Sequence, residues 1–206
     1  MAQPQEFDVD QVLEKAMLLA WNKGYESTSP TDIQDATGVS WPNLNKAFGN
    51  KEGLFRTALD RYKQKNLAFR ANAFAQPTPR LIVRTLLLGF VDLDTESSTP
   101  SGRLVALSAL ACMGNMGPLG DSLLQIRNEF ERNLRERLKS VMDAGPLPDG
   151  MTAHDAAAFI STMIQGMAVQ AKSGATRRRL REIVDAVLAN WPADFRDPEQ
   201  HQAGAG

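Results

Sequence analysis

Apolar residues along the chain recur at helical rather than strand spacing. Val9, Val12, Leu13, Ala16, Met17 and Ala20 form one stripe, and Asp8 stands where a helix cap is needed. This predicts a first helix from Asp8 to about Lys23, stopped by Gly24. Ser29, Pro30 and Asp32 have the spacing of a capping box with proline in the first turn, and open a second, short helix to about Thr37. Gly38 supplies a left-handed cap, Val39 can pack inward, and Ser40 offers a fresh capping hydroxyl for a third helix, Trp41 to Phe48. Asn50 caps a fourth, with Leu54, Phe55, Ala58, Leu59 and Tyr62 on one face, expected to reach Ala73.

The two prolines between Gln76 and Pro79 read as a turn or hinge and as the boundary of a domain. Beyond it, helices are expected at about 81–94, 103–112, 121–144, 153–172 and 176–191. Glycines and Pro118 interrupt the pattern between 114 and 120, and a polar tail expected to be disordered follows 192. No strand signal and no internal repeat occur. The fold class is therefore all-α, with about nine helices in two domains, 1–75 and 76–192, and a tail at 193–206.

Composition narrows the function. The chain has 206 residues, 43% of them hydrophobic, and 23 basic against 24 acidic side chains. A net charge of -1 excludes a globally basic nucleic-acid coat but permits a local basic surface. Residues 1 to 75 carry nine acids and nine bases, so affinity for a polyanion would have to come from locally placed groups. The single cysteine, Cys112, cannot close an intramolecular disulfide, which fits a reducing compartment, and cytoplasmic localisation is expected. No apolar stretch approaches the roughly 20 residues that span a bilayer. With only His154 and His201 beside that cysteine, no metal site and no cofactor is expected.

The two short helices joined at Thr37-Gly38-Val39-Ser40 have the spacing of a helix-turn-helix, whose second helix enters the major groove of DNA. Leu44 and Phe48 lie four apart and are expected to bury against the first helix, leaving Trp41, Asn43, Asn45 and Lys46 to project. Asparagine pairs bidentately with adenine, and Lys46 can meet a phosphate or a guanine edge. Trp41 either packs on its neighbours or contacts the groove. Lys51 and the free N–H groups opening the fourth helix suit a phosphate, and Thr28 and Ser40 are candidate neutral phosphate donors.

Further landmarks accompany this turn. They are Gly24-Tyr25, Thr28, Asp32-Ile33, Ala36 to Ser40, Leu44, Phe48 and Lys51-Glu52-Gly53-Leu54-Phe55. With them, the segment Asp8 to Leu59 resembles the DNA-binding domain of TetR-type transcriptional regulators. The resemblance implies a three-helix reading head, a linking fourth helix, a ligand-binding body and a homodimer. Asn45 stands where family members usually carry tyrosine.

The body loosely resembles the copper- and electrophile-responsive branch of that family, over Gly102 to Cys112 and Gln165 to Lys172. Arg103 stands where electrophile-sensing members carry a reactive cysteine, and Cys112 reads as a small buried hydrophobe. Met113, Met116, Met163 and Met167 suit an adaptable apolar pocket more than a copper site. Leu86, Leu87, Phe90, Ser108, Cys112, Met163 and Met167 are the candidate ligand pocket. The stripes of the last two helices, Ile160 and Ile164 with Ile183, Val184, Val187 and Leu188, are the candidate dimer interface. The expected function is a repressor that binds double-stranded operator DNA as a homodimer and is released by a small apolar or amphipathic inducer, with no catalysis and no membrane partner. The rival readings are a helical enzyme, for which one cysteine and one histidine in the body are a poor reactive set, and a helical scaffold.

Overall fold

The computed structural model describes residues 7–95 and 117–194. These residues are all-α, with no strand among them. The order is α1 (Val9–Lys23), α2 (Pro30–Thr37), α3 (Trp41–Phe48), α4 (Lys51–Asn66), α5 (Phe69–Ala75), α6 (Pro79–Thr95), α7 (Gly117–Ser140), a 3-10 turn (Met142–Ala144), α8 (Ala153–Lys172) and α9 (Arg177–Ala189). The helix expected at 103–112, with Gly102, Arg103, Ser108, Cys112, Met113 and Met116, lies outside the described residues, as does the chain after Asp194.

Contacts divide the described chain into two compact units, one of residues to Ala68 with Gly117–Arg127, the other of Phe69–Thr95 with Asn128–Asp194. The division falls after Ala68 rather than at Gln76. In the first unit α1 packs on α2 and α4, and α3 on α2 and α4. Val12, Leu13, Ala16, Met17 and Ala20 form the buried stripe of α1, and Ile33, Leu44, Leu54 and Phe55 on the other three helices keep at most 1% exposure. Val9, expected in that stripe, is 46% exposed at the first residue of the helix. The helix starts follow local chemistry. Gln11 N donates to the Asp8 carboxylate, and Gly53 N to Asn50 Oδ1 at 2.8 Å.

The fourth helix stops at Asn66, short of Ala73. Leu67 takes the cap position without any glycine or proline to mark it, and Phe69 opens a separate helix. In the second unit α6 is central and packs on α5, α8 and α9. Its Ile82, Val83, Leu86, Leu87, Phe90 and Val91 are wholly buried, each worth about 1.5–3 kcal/mol of burial. Pro79 belongs to this helix rather than to a hinge, and Thr78 Oγ1 accepts from Leu81 N at its start. The preceding corner is pinned, because Arg137 donates to the carbonyls of Phe74, at 2.5 Å, and Gln76, at 2.9 Å. Arg80 does the same for the end of α9, donating to the carbonyls of Leu188 and Trp191, where orphan carbonyls and the helix dipole favour a cation. Gly117 and Pro118, expected to interrupt, form the first turn of α7, where proline is tolerated.

Candidate nucleic-acid interface and body sites

The α2–turn–α3 segment is fixed by its own sequence. Asp32 N donates to Ser29 Oγ and Ser29 N to Asp32 Oδ2, closing a reciprocal cap at the start of α2. The Lys23 ammonium lies 2.6 Å from the same carboxylate. Lys23 first, and then Ser29, hold the Asp32 carboxyl well below the usual carboxylate range. Gly38 ends α2 in the left-handed region, at φ 76° and ψ 9°, a conformation that costs any residue with a Cβ. Thr37 Oγ1 donates to the Ile33 carbonyl and accepts from Val39 N, which tightens the turn.

Ser40 does not cap α3 with its hydroxyl, contrary to the expectation. The bond comes instead from α2, where Gln34 Oε1 accepts from Trp41 N at 3.1 Å. This places the free Ser40 hydroxyl and the Gln34 amide together at the rim of a polar groove of about 620 Å³, also lined by Gln11, Gly38 and Asn43. Gln34 went unnoticed in the sequence because its partner lies seven residues away, beyond any local capping pattern.

On α3 only Leu44 is fully buried. Phe48 is half-buried and meets the Phe7 ring at 6.4 Å between centroids. Asn43, Asn45 and Lys46 are exposed and Trp41 half-exposed, so the expected row does project from the helix. Lys51 is partly buried, with its ammonium 4.3 Å from the centre of the Tyr25 ring, and this burial lowers its pKa from the ordinary lysine value, against the opposing charge of Glu26. Thr28 is a correction. It is 1% exposed, and its hydroxyl donates to the Gly24 carbonyl at 2.6 Å, so it closes the α1–α2 turn from inside.

At Gly53 a Cβ would stand 2.1 Å from the Phe48 carbonyl oxygen. The end of α3 and the start of α4 therefore touch backbone to backbone, and only glycine permits it. This gives a physical reason for the Lys51-Glu52-Gly53 sequence at the start of α4.

In the second unit the structure sorts the body residues differently from the sequence reading. Leu86, Leu87, Phe90 and Met167 lie together in the buried layer of α6 and α8. Met163 does not join them, and lines an outer groove of about 460 Å³ on α8 and α9 with Pro148, Phe159, Ile183, Val187 and Trp191. Of the expected interface residues, Ile160 and Val184 have no exposure and Ile164 only 2%. These three are core of the protomer and cannot meet a partner. Val187 and Leu188 keep 8%, and Ile183 is half-exposed. The apolar residues that line the groove from outside are Phe159, Met163 and Ile183, one step around the same helices. Among the described residues no three histidine, cysteine or acidic side chains converge on a metal position, and no helix is long and apolar enough to cross a membrane.

A helix-turn-helix whose second helix carries exposed amide and ammonium groups over a buried leucine defines a DNA-binding protein of the three-helix type. The model of the bacterial regulatory proteins of the tetR family matches residues 12–58. The HTH-type transcriptional repressor ComR of Escherichia coli (strain K12) is 32% identical over 191 residues, covering 92% of this chain and 91% of ComR. A cysteine-substituted form of the TetR family transcriptional regulator CifR, complexed with 26 bp double-strand operator DNA, is 35% identical, with a TM-score of 0.81 over 93% of this chain and 100% of CifR. A TetR transcriptional regulator from Rhodococcus sp. RHA1 is 30% identical, with a TM-score of 0.62 over 88% of this chain and 98% of that one. The chain belongs to the TetR family of transcriptional regulators.

Proposed function

We propose that the protein is a transcriptional repressor that binds double-stranded operator DNA as a homodimer in the cytoplasm and is released by a small apolar or amphipathic inducer. The carrying observation is the row of exposed Asn43, Asn45 and Lys46 on α3 above buried Leu44. Asn43 and Asn45 are the base or backbone hydrogen-bonding groups, and Lys46 the charged one. Trp41 and Ser40 flank them at the start of the helix, and Lys51 holds a phosphate beside the first turn of α4.

The first unit is the reading head and the second the ligand-binding and dimerisation body. The dimer forms through the outer face of α8 and α9, where Phe159, Met163 and Ile183 leave an apolar groove on the protomer surface. The inducer occupies the layer of Leu86, Leu87, Phe90 and Met167. The output is release of DNA rather than a chemical step. Fluorescence anisotropy with DNA flanking the protein's own gene tests the reading. Salt-sensitive binding that survives excess unrelated DNA and follows a dimer in sedimentation is expected. A monomer without sequence preference overturns it.

A further inference from the structure

We propose that Gln34 is a positioning residue for DNA recognition: by holding the first turn of α3 on α2 it fixes Asn43, and so sets how well the protein discriminates between base sequences. The proposal rests on the repressor reading and names a residue outside α3 on which the selectivity of that helix depends.

The first turn of a helix leaves its N–H groups without intrahelical partners. In α3, Pro42 has no N–H, and Asn43 N and Leu44 N donate to the Ser40 carbonyl at 3.0 and 3.1 Å. Trp41 N then needs an acceptor from elsewhere. The Ser40 hydroxyl, the usual source of such a cap, makes no bond to the helix. Gln34 Oε1 takes its place at 3.1 Å, reaching from the middle of α2 across the turn.

The anchors of α3 are few. Leu44 is its one fully buried residue. At the far end the Phe48 carbonyl oxygen lies 2.1 Å from where a Cβ at Gly53 would stand, so that end rests on the backbone of α4. Ahead of Leu44, Pro42 and Asn43 are exposed and Trp41 half-exposed. Burial therefore holds the first turn weakly, and the Gln34 bond ties it to α2. Asn43 stands in that turn and lines the same polar groove as Gln34 and Ser40. Asn45 and Lys46 come after Leu44, on the stretch held by Leu44 and Phe48. Loss of the Gln34 bond loosens Asn43 and spares the other two.

A bidentate asparagine–adenine pair needs two hydrogen bonds within narrow limits of distance and angle, whereas the attraction of a lysine for a phosphate falls off slowly with distance. A first turn free to shift therefore costs base discrimination more than general affinity for DNA. Asp8 and Asp35 line the groove beside Gln34. Their charge disfavours a phosphate there, so Gln34 acts through α3 rather than on the DNA backbone.

The test uses the full chain, a duplex that the wild type enriches from a random-sequence pool, and an unrelated duplex as reference. Fluorescence anisotropy gives the ratio of the two affinities. Gln34→Ala and Gln34→Met, which lack the acceptor oxygen, should lower this ratio about fivefold and leave affinity for the unrelated duplex unchanged. Gln34→Glu keeps the acceptor. Its charge should weaken both duplexes alike and hold the ratio within about twofold of wild type. In double-mutant cycles on the enriched duplex, Gln34→Ala should be non-additive with Asn43→Ala and additive with Lys46→Ala. Circular dichroism checks that each variant is folded; if Gln34→Ala is not, Gln34→Met, with its full-length stem, takes its place. An unchanged ratio in Gln34→Met, an equal fall in Gln34→Glu, or coupling to Lys46 as large as to Asn43 overturns the proposal and leaves the repressor reading intact. A wild type that enriches no sequence overturns the repressor reading and the proposal with it.

Discussion

Lys51→Ala should change how operator binding responds to salt more distinctly than it changes anything else. The Lys51 ammonium stands over the Tyr25 ring at the start of α4, beside the exposed row of α3. One phosphate contact per protomer makes two in the dimer. Each contributes about 0.9 to the slope of log affinity against log salt, so the variant should be shallower by about 1.8. Between 50 and 200 mM salt, wild type should then lose about 12-fold more affinity than the variant. At 0.1 M the two lost contacts amount to about 2.4 kcal/mol, roughly 60-fold in affinity. The variant also loses the contact with Tyr25, worth about 0.5–1 kcal/mol, but that loss acts on the head at every salt concentration and leaves the slope alone. Lys51→Arg should keep the wild-type slope. Anisotropy titrations on one operator duplex at four salt concentrations supply the measurement. An unchanged slope in Lys51→Ala refutes the phosphate contact, whatever happens to affinity at a single salt.

Ile183→Arg should yield monomers in sedimentation and abolish operator binding while keeping the helical circular dichroism, because Ile183 is half-exposed; a stable dimer would refute the α8–α9 interface. Gln34→Ala should cost about 1 kcal/mol of stability by uncapping α3, read by urea unfolding, and Gln34→Glu should retain most of it because the acceptor oxygen remains. Gly38→Ala should cost about 1 kcal/mol from backbone conformation alone, since nothing lies within 4 Å of the added Cβ. Asp94, with its folded-state carboxyl raised to about 7, is protonated in the folded protein over a range where the unfolded chain has already ionised it. Its contribution to stability therefore falls as pH rises from about 4 to 7, then levels off. Relative to Asp94→Asn, wild type should lose up to about 4 kcal/mol across that interval, and parallel pH profiles of the two proteins would refute the shift.

Local chemistry made the reading head legible in the sequence. The Ser29–Asp32 cap, the left-handed Gly38 and the Asn50 cap each need only a few neighbouring residues, and the structure has all three. The body was less legible because its determinants join distant residues. Arg137 reaches the carbonyls of Phe74 and Gln76, and Arg80 those of Leu188 and Trp191. The break at Leu67 has no turn residue to announce it. Ile160, Ile164 and Val184 show a further limit, since periodicity locates an apolar stripe but does not say which edge of a wide stripe turns inward. Asp94 escaped notice for a related reason. Asp94 stands inside the expected helix of 81–94, but a charged residue at a helix end reads as solvent-facing, whereas both of its carboxylate oxygens are buried.

The contact at Gly53 gives the head a mechanical property. With the Phe48 carbonyl against the Gly53 backbone, α3 and α4 behave as one bent lever, with no side chain between them to cushion a displacement. The 16 residues of α4 span about 24 Å. A tilt of ~10° about the far end of such an arm moves its near end by ~4 Å, about the 3.4 Å spacing of successive base pairs. The reading helix would then be out of step with its half-site by one base pair, without any change in its own conformation.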